Sequence, residues 1–144
     1  MTTPRIKRTF VGQFPYGADL YESLTKIAVD EDIKLGRLSA IGATTHAVVA
    51  FYDQKERKYN PIEFPGRMEI LSLQGNVSLR EGKPFVHAHI TLSDPQGRVF
   101  GGHLLPGTKL FACEIFIEEF EGMQFQRQYD ETTGLHLWGR GSQL

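Results

Sequence analysis

Apolar positions follow two periods along the chain. Leu20, Leu24, Ile27 and Ala28 fall on one face at helical spacing. Asp19 stands where an N-cap belongs, and Glu22 three residues on makes a variant of the capping box. Asp30, Glu31 and Asp32 would sit badly at the negative end of a helix dipole. The helix therefore ends near residue 30, with Gly36 closing the link to the next element. Beyond Gly36 the period shortens to two. It predicts strands over 39–41, 45–53, 59–64, 68–79, 85–92, 98–105 and 110–120, split by Gly, Pro and Asp. Residues 55–58 form a charged turn, and Pro61 and Pro65 limit the strand over 59–64. Residues 125–138 read as one more short strand followed by irregular chain. Residues 1–8 read as an N-terminal arm or strand entry, 9–138 as the domain and 139–144 as a tail. One main helix with about seven mainly antiparallel strands makes an α+β fold in a single compact domain.

Two hairpins can be read residue by residue. Asp94-Pro95-Gln96-Gly97-Arg98 has Pro where a type I turn wants it and Gly where a left-handed residue must sit. This turn pairs Leu92 with Phe100, Ile90 with Gly102 and His89 with His103. A second turn over 106–109 would pair Leu104 with Phe111, Gly102 with Cys113, Phe100 with Ile115 and His103 with Ala112. Both registers gather apolar residues on one face, which a slip of one residue would scatter.

The opposite face of those three strands carries His87, His89, Thr91, Gly101, His103, Ala112 and Glu114. Opposed Cβ atoms lie ~5 Å apart and same-face neighbours along a strand ~7 Å apart. Three imidazoles at such spacings can converge on one ion, with Gly101 and Gly102 leaving space beside them. The ligand set suits Zn, Cu, Ni or Fe. Glu114, set diagonally across, is a candidate second-layer acceptor, general base or fourth ligand. A polar groove without metal is the alternative. Protonation near the ordinary imidazole pKa of about 6.5 competes with a metal, so the ion should leave as pH falls below about 6.

Other polar residues read as structural. His46 lies in an apolar strand as a partly buried, satisfied histidine, and His136 lies in the irregular tail without a role. Cys113 falls on the apolar face as a buried, inert thiol. Arg5, Lys7 and Arg8 read as solvated charge. Gly101-Gly102 opens no helix and so is no phosphate loop. Residues 45–52 and 110–117 are apolar on both faces, while one helix covers one face. Another copy of the chain, or else residues 54–66 folded back, must cover the second.

Composition narrows the function classes. A chain of 144 residues suits one domain with a genuine core. Net charge −1 lacks the basic excess typical of proteins that live on nucleic-acid phosphates. A single cysteine excludes an intrachain disulfide and a Cys-rich zinc module. The longest apolar run, 47–52, is far too short to span a bilayer, and no signal peptide is visible. The expected location is cytoplasmic, with no membrane partner.

Several stretches together resemble the plants-and-prokaryotes-conserved (PPC) domain. They are Gly17-Ala18-Asp19-Leu20, Ala40-Ile41-Gly42-Ala43, the segment 66–71 and Leu73-Gln74-Gly75-Asn76. The most diagnostic is the segment 82–89, ending His87-Ala88-His89, continued through Gly97 to Gly101-Gly102-His103-Leu104. Met68 replaces the Phe typical of plant members. The resemblance covers nearly the whole chain and implies an α+β fold and a homotrimer. Plant members are fused to AT-hooks and act as nuclear DNA-binding regulators. The hook needs an Arg-Gly-Arg-Pro core, and the nearest basic segment here, 4–8, lacks the glycine. Some prokaryotic members look like metal binders through the histidines matching His87, His89 and His103. The implied reading is a stand-alone prokaryotic-type member, a DNA-binding regulator by resemblance, trimeric, with a groove holding a divalent metal, zinc first. The alternative is a zinc-dependent enzyme hydrolysing or hydrating a small molecule, with Glu114 handling protons. A third is a metal-free ligand or peptide scaffold.

Overall fold

The helix forms where the periodicity puts it. In the computed structural model, which describes residues 3–139, α1 spans Leu20–Asp30 and buries Leu24 and Ala28 against the sheet. Asp19 caps it by accepting the Glu22 N–H at 3.1 Å. The other Asp19 oxygen accepts the Gly107 N–H at 2.7 Å, so one carboxylate ties the helix start to a distant turn.

Eight strands accompany it: β1 (Arg5–Phe14), β2 (Gly36–Asp53), β3 (Lys58–Arg80), β4 (Lys83–Ser93), β5 (Val99–Leu104), β6 (Lys109–Glu121), β7 (Arg127–Asp130) and β8 (Leu135–Trp138). Six form one antiparallel sheet in the order β1-β6-β2-β3-β4-β5. β5 also pairs with β2, at Val49↔Leu104 and Ala50↔His103, which rolls β2–β5 into a barrel-like unit. Its interior holds Val49, Leu73, Val77, Ile90, Leu92 and Leu104, all but fully buried. Each is worth roughly 1.5–3 kcal/mol relative to exposure.

Four expectations need correction. The strands read at 39–41 and 45–53 are one strand, β2, kept continuous by irregularities at 40/42 and 44/46. The strands at 59–64 and 68–79 are likewise one, running through Pro61 and Pro65. Both prolines pair with β2, whereas β4 joins β3 only from Glu69 onward, so they occupy an edge stretch where a missing N–H is tolerated. The tail forms a β7–β8 hairpin instead of one strand and irregular chain. The fourth correction matters most for the site. β5 and β6 do not pair with each other; both lie on β2, β6 along residues 36–46 and β5 at 49–50. Thr108, fully buried between them, accepts the Val48 N–H and donates to the Val48 carbonyl, both at 3.0 Å, in place of ladder bonds. Leu104, Cys113 and Ile115 do share one core, whereas Phe111, expected opposite Leu104, points away from it.

The two-sided apolar character is real. Val11, Ile41, Phe51, Phe111 and Phe116 are each more than half exposed, and Val11 lies directly opposite Phe116. Residues 58–66 extend β3 and do not cover this face. β1 takes in Arg5 to Arg8. Lys7 reaches the buried Glu119 at 3.0 Å, and Arg8 pairs with Glu119 and Glu31. No described helix is long and apolar enough to cross a membrane.

Candidate metal centre

Alternation along β4 sends Val86, Ala88 and Ile90 inward, and so His87 and His89 outward. The third histidine is placed by the β4–β5 turn. One Asp94 oxygen accepts the N–H groups of Gln96 and Arg98, each at 2.9 Å, and the other pairs with the Arg98 guanidinium at 2.6 Å. Gly97 takes φ +77°, which a side chain would resist. The resulting ladder sets Leu92 opposite Phe100, Ile90 opposite Gly102 and His89 opposite His103, as the turn predicts.

The three rings lie 5.0 to 5.6 Å apart, centre to centre. Their ligating nitrogens all fall within 4.8 Å of one another. The Nε2 atoms of His87 and His89 are 3.3 Å apart. Zinc–nitrogen bonds of ~2.0–2.1 Å in a tetrahedron put nitrogens about 3.3–3.4 Å apart, so this pair already matches a tetrahedral edge. Nδ1 of His103 is buried with no hydrogen-bond partner, a cost that a bound group could relieve. The residues present thus fit a tetrahedral divalent ion.

Close strand approach, rather than open room, is what the glycines supply. A Cβ on Gly101 would meet the Ile90 carbonyl at 2.4 Å, and one on Gly75 would meet the His87 carbonyl at 2.6 Å. Burial pushes the His87 pKa down to about 4, with His103, Arg127 and His89 adding to the effect. Burial, with His89 and Arg127, does the same for His103. Both rings are therefore ready ligands without losing a proton at neutral pH, and proton competition at these two sets in lower than the expected pH of 6.

A cleft of about 310 Å³ opens beside His87 and His103. The Tyr59 ring stacks obliquely on His103 at 4.6 Å, and burial raises its phenol pKa. The β7–β8 hairpin forms the far wall. Arg127 anchors it by donating to Ser78 Oγ and Asn76 Oδ1 at 2.9 Å and to the His136 carbonyl at 3.0 Å. The Tyr52 hydroxyl donates to the Thr133 carbonyl at 2.8 Å. Burial and the neighbouring Arg80 lower the Arg127 pKa from its ordinary value.

Sequence reasoning missed Arg127, Tyr59 and the hairpin. The available signal was Asp130-Glu131-Thr132-Thr133-Gly134, where Asp130 accepts the Thr133 N–H and Gly134 takes φ +72°. Glu114 is the residue that does not arrive. It lies opposite Ile41, whereas His103 lies opposite Ala50, nine residues further along β2. Among the described residues the group able to hold a metal is the three histidines alone. His46 is partly buried, 3.5 Å from the Glu63 carboxylate. His136 gives its carbonyl to Arg127 and sets its ring against Tyr129. Cys113 is buried, its thiol pushed up to about 11 by burial. A larger cavity of about 700 Å³ lies elsewhere, lined by Tyr16, Met68 and Phe111 among others, and holds no ligating cluster.

Comparison with known proteins places this geometry. The family model described as the Plants and Prokaryotes Conserved (PCC) domain matches residues 1–121. The bifunctional protein GlmU of Synechococcus sp. (strain JA-3-3Ab) is 37% identical over 126 residues, covering 84% of this chain. The chain spans only 19% of the length of the curated relatives it matches. The crystal structure of a metal-containing protein from Archaeoglobus fulgidus is similar at 38% identity and TM-score 0.90, covering 97% of this chain and 99% of that one. A structure from Ralstonia eutropha JMP134, described as a candidate DNA-binding protein, is 27% identical with TM-score 0.81, covering 90% and 89%.

Proposed function

The chain belongs to the Plants and Prokaryotes Conserved (PCC) domain family, and we propose that its working part is a divalent-metal centre held by His87, His89 and His103, with zinc as the ion. The observation that carries this is the 3.3 Å separation of the His87 and His89 Nε2 atoms, with His103 close by. The archaeal relative described as metal-containing adds support. His87, His89 and His103 would hold the ion through neutral imidazoles, and the ion would supply Lewis acidity beside the cleft. The chain's own part is to keep His87 and His103 neutral by burial, and to wall the site with Tyr59 and the β7–β8 hairpin. Zinc analysis of the purified protein, before and after chelation, tests the reading.

A zinc enzyme for hydrolysis or hydration is the second form of the same site. Its proton-handling group would not be Glu114, and the lining of the cleft supplies arginines and tyrosines instead of a carboxylate. DNA binding is the family-level reading, supported by the description of the Ralstonia relative. Against it for this chain stand the net charge of −1 and the pairing of Lys7 and Arg8 with glutamates. The exposed apolar face around Val11 and Phe116 supports assembly with further copies, a homotrimer by family resemblance.

A further inference from the structure

We propose that the cleft beside the three imidazoles receives a small organic carboxylate, with Arg80 and Arg127 as its counter-charges. The inference deepens the metal reading and rests on it for the ion's share of the charge.

Several cations share this cleft without a carboxylate. Arg57, Arg80 and Arg127 line it, and no Asp or Glu does. The groove on the other side of His87 and His89 also lacks an acidic residue. Several cations elsewhere have carboxylates: Lys7 and Arg8 have Glu119, Arg98 has Asp94 and Lys109 has Asp19. The partners of Arg127 are all neutral: a hydroxyl, an amide oxygen and a carbonyl. Arg57 has the Thr132 carbonyl. The Arg80 and Arg127 guanidinium carbons lie 5.5 and 5.2 Å from the centre of one shared ring, Phe85. Two like charges thus share one ring and one cleft, and burial together with the Arg80 charge lowers the Arg127 pKa. Three neutral imidazoles bring no negative charge, so a divalent ion adds two more positive charges. An anion from outside is the compensation still missing.

The cleft also fixes the class of anion. Its volume of about 310 Å³ sits at the lower end of the ~300–1,000 Å³ usual for small-molecule sites. Tyr52, Tyr59 and Phe85 give it aromatic walls, which suit a carbon body and offer little to a bare inorganic ion. Arg127 commits one N–H from each of its three nitrogens. One N–H remains on each terminal nitrogen and can still donate to an anion.

Calorimetry on the zinc-loaded full chain tests this. Lactate and benzoate serve as carboxylate probes, with inorganic phosphate and a short DNA duplex as rival anions. Zinc content is measured on every sample. A carboxylate should bind one per chain, and Arg80→Ala and Arg127→Lys should each weaken it at least about tenfold, as loss of a charge-assisted contact does. Lys55→Ala, in an exposed turn, should change nothing. Arg80→Ala removes only a ring contact, so it keeps the test valid if Arg127→Lys disturbs the hairpin. Tighter binding of phosphate, displacement by DNA, or indifference to both arginine variants overturns the inference. A chain that holds zinc but takes no carboxylate retires this inference alone. A chain without zinc that binds carboxylate through both arginines retires the metal reading and supports this one.

Discussion

His89 and His103 stand directly opposite each other across the β4–β5 ladder, ring centres 5.6 Å apart, because a turn beginning five residues after His89 allows no other register. Asp94 fastens that turn through both carboxylate oxygens. A slip of one residue would turn the histidine into the core and send Leu104 out. The three-histidine cluster is thus specified by local turn chemistry, and His87 joins it by strand alternation alone.

The depressed pKa values make the pH behaviour specific. His87 and His103 have folded values of about 4 against an ordinary value of 6.5. The unfolded chain therefore binds more protons than the folded chain between pH 4 and 6.5. Metal-free stability should be complete above pH 6.5, fall as pH drops toward 4, and level off below. Zinc uptake between pH 6 and 5 should release at most one proton per ion, because these two rings are already neutral. Calorimetry in buffers of different ionisation enthalpy reads that number. Release of two or three protons would show that the rings titrate normally.

Gly75 should be indispensable to the centre although it binds nothing. Its absent Cβ lets β3 approach the His87 carbonyl. Gly75→Ala should cost about 1–3 kcal/mol in denaturant unfolding and weaken zinc binding by roughly tenfold, as overpacking displaces β4. Gly12→Ala, with nothing within 4 Å of the new Cβ, should stay within about 0.5 kcal/mol of the parent. Equal effects at the two glycines would contradict the close-approach account.

Local chemistry was legible in the sequence, and long-range pairing was not. The helix with its Asp19 cap and the β4–β5 register needed only neighbours within a few residues, and both are found as read. The β5–β6 pairing failed because the two strands follow each other along one edge of β2 instead of turning back side by side, with Thr108 bonding to β2 at the break. Matching apolar residues on two strands cannot tell a shared partner from a shared ladder. Glu114 was lost with that register. Pro61 and Pro65 looked like strand ends because sequence does not show which stretch of β3 is an edge. Arg127 was missed because it joins the cleft beside the histidines through tertiary packing of a hairpin read as irregular tail.

Assembly should follow the exposed apolar face. Light scattering at micromolar concentration should give about three times 16.3 kDa. Phe116→Arg, which puts a charge opposite Val11, should shift the mass toward one chain without unfolding it. A parent chain that runs as a monomer, or a trimer indifferent to Phe116→Arg, would contradict this use of the face.

Duplex DNA should bind negligibly at physiological salt. The chain carries a net charge of −1, and Lys7 and Arg8 already face glutamates. Non-specific binding would need several neutralised phosphates, each lowering log K by about 0.9 per decade of salt. A tight and steeply salt-dependent mobility shift would contradict this expectation and point to the arginines of the cleft as phosphate contacts.

Metal stoichiometry tests the central claim most directly. The purified chain, stripped with a chelator and titrated with zinc at neutral pH, should take up one ion per chain. His87→Ala, His89→Ala and His103→Ala should each reduce affinity by at least about tenfold. His46→Ala and Glu114→Ala should leave it unchanged, because neither belongs to the cluster. A folded parent chain that takes up no divalent ion, or one whose uptake survives His103→Ala, would contradict the account.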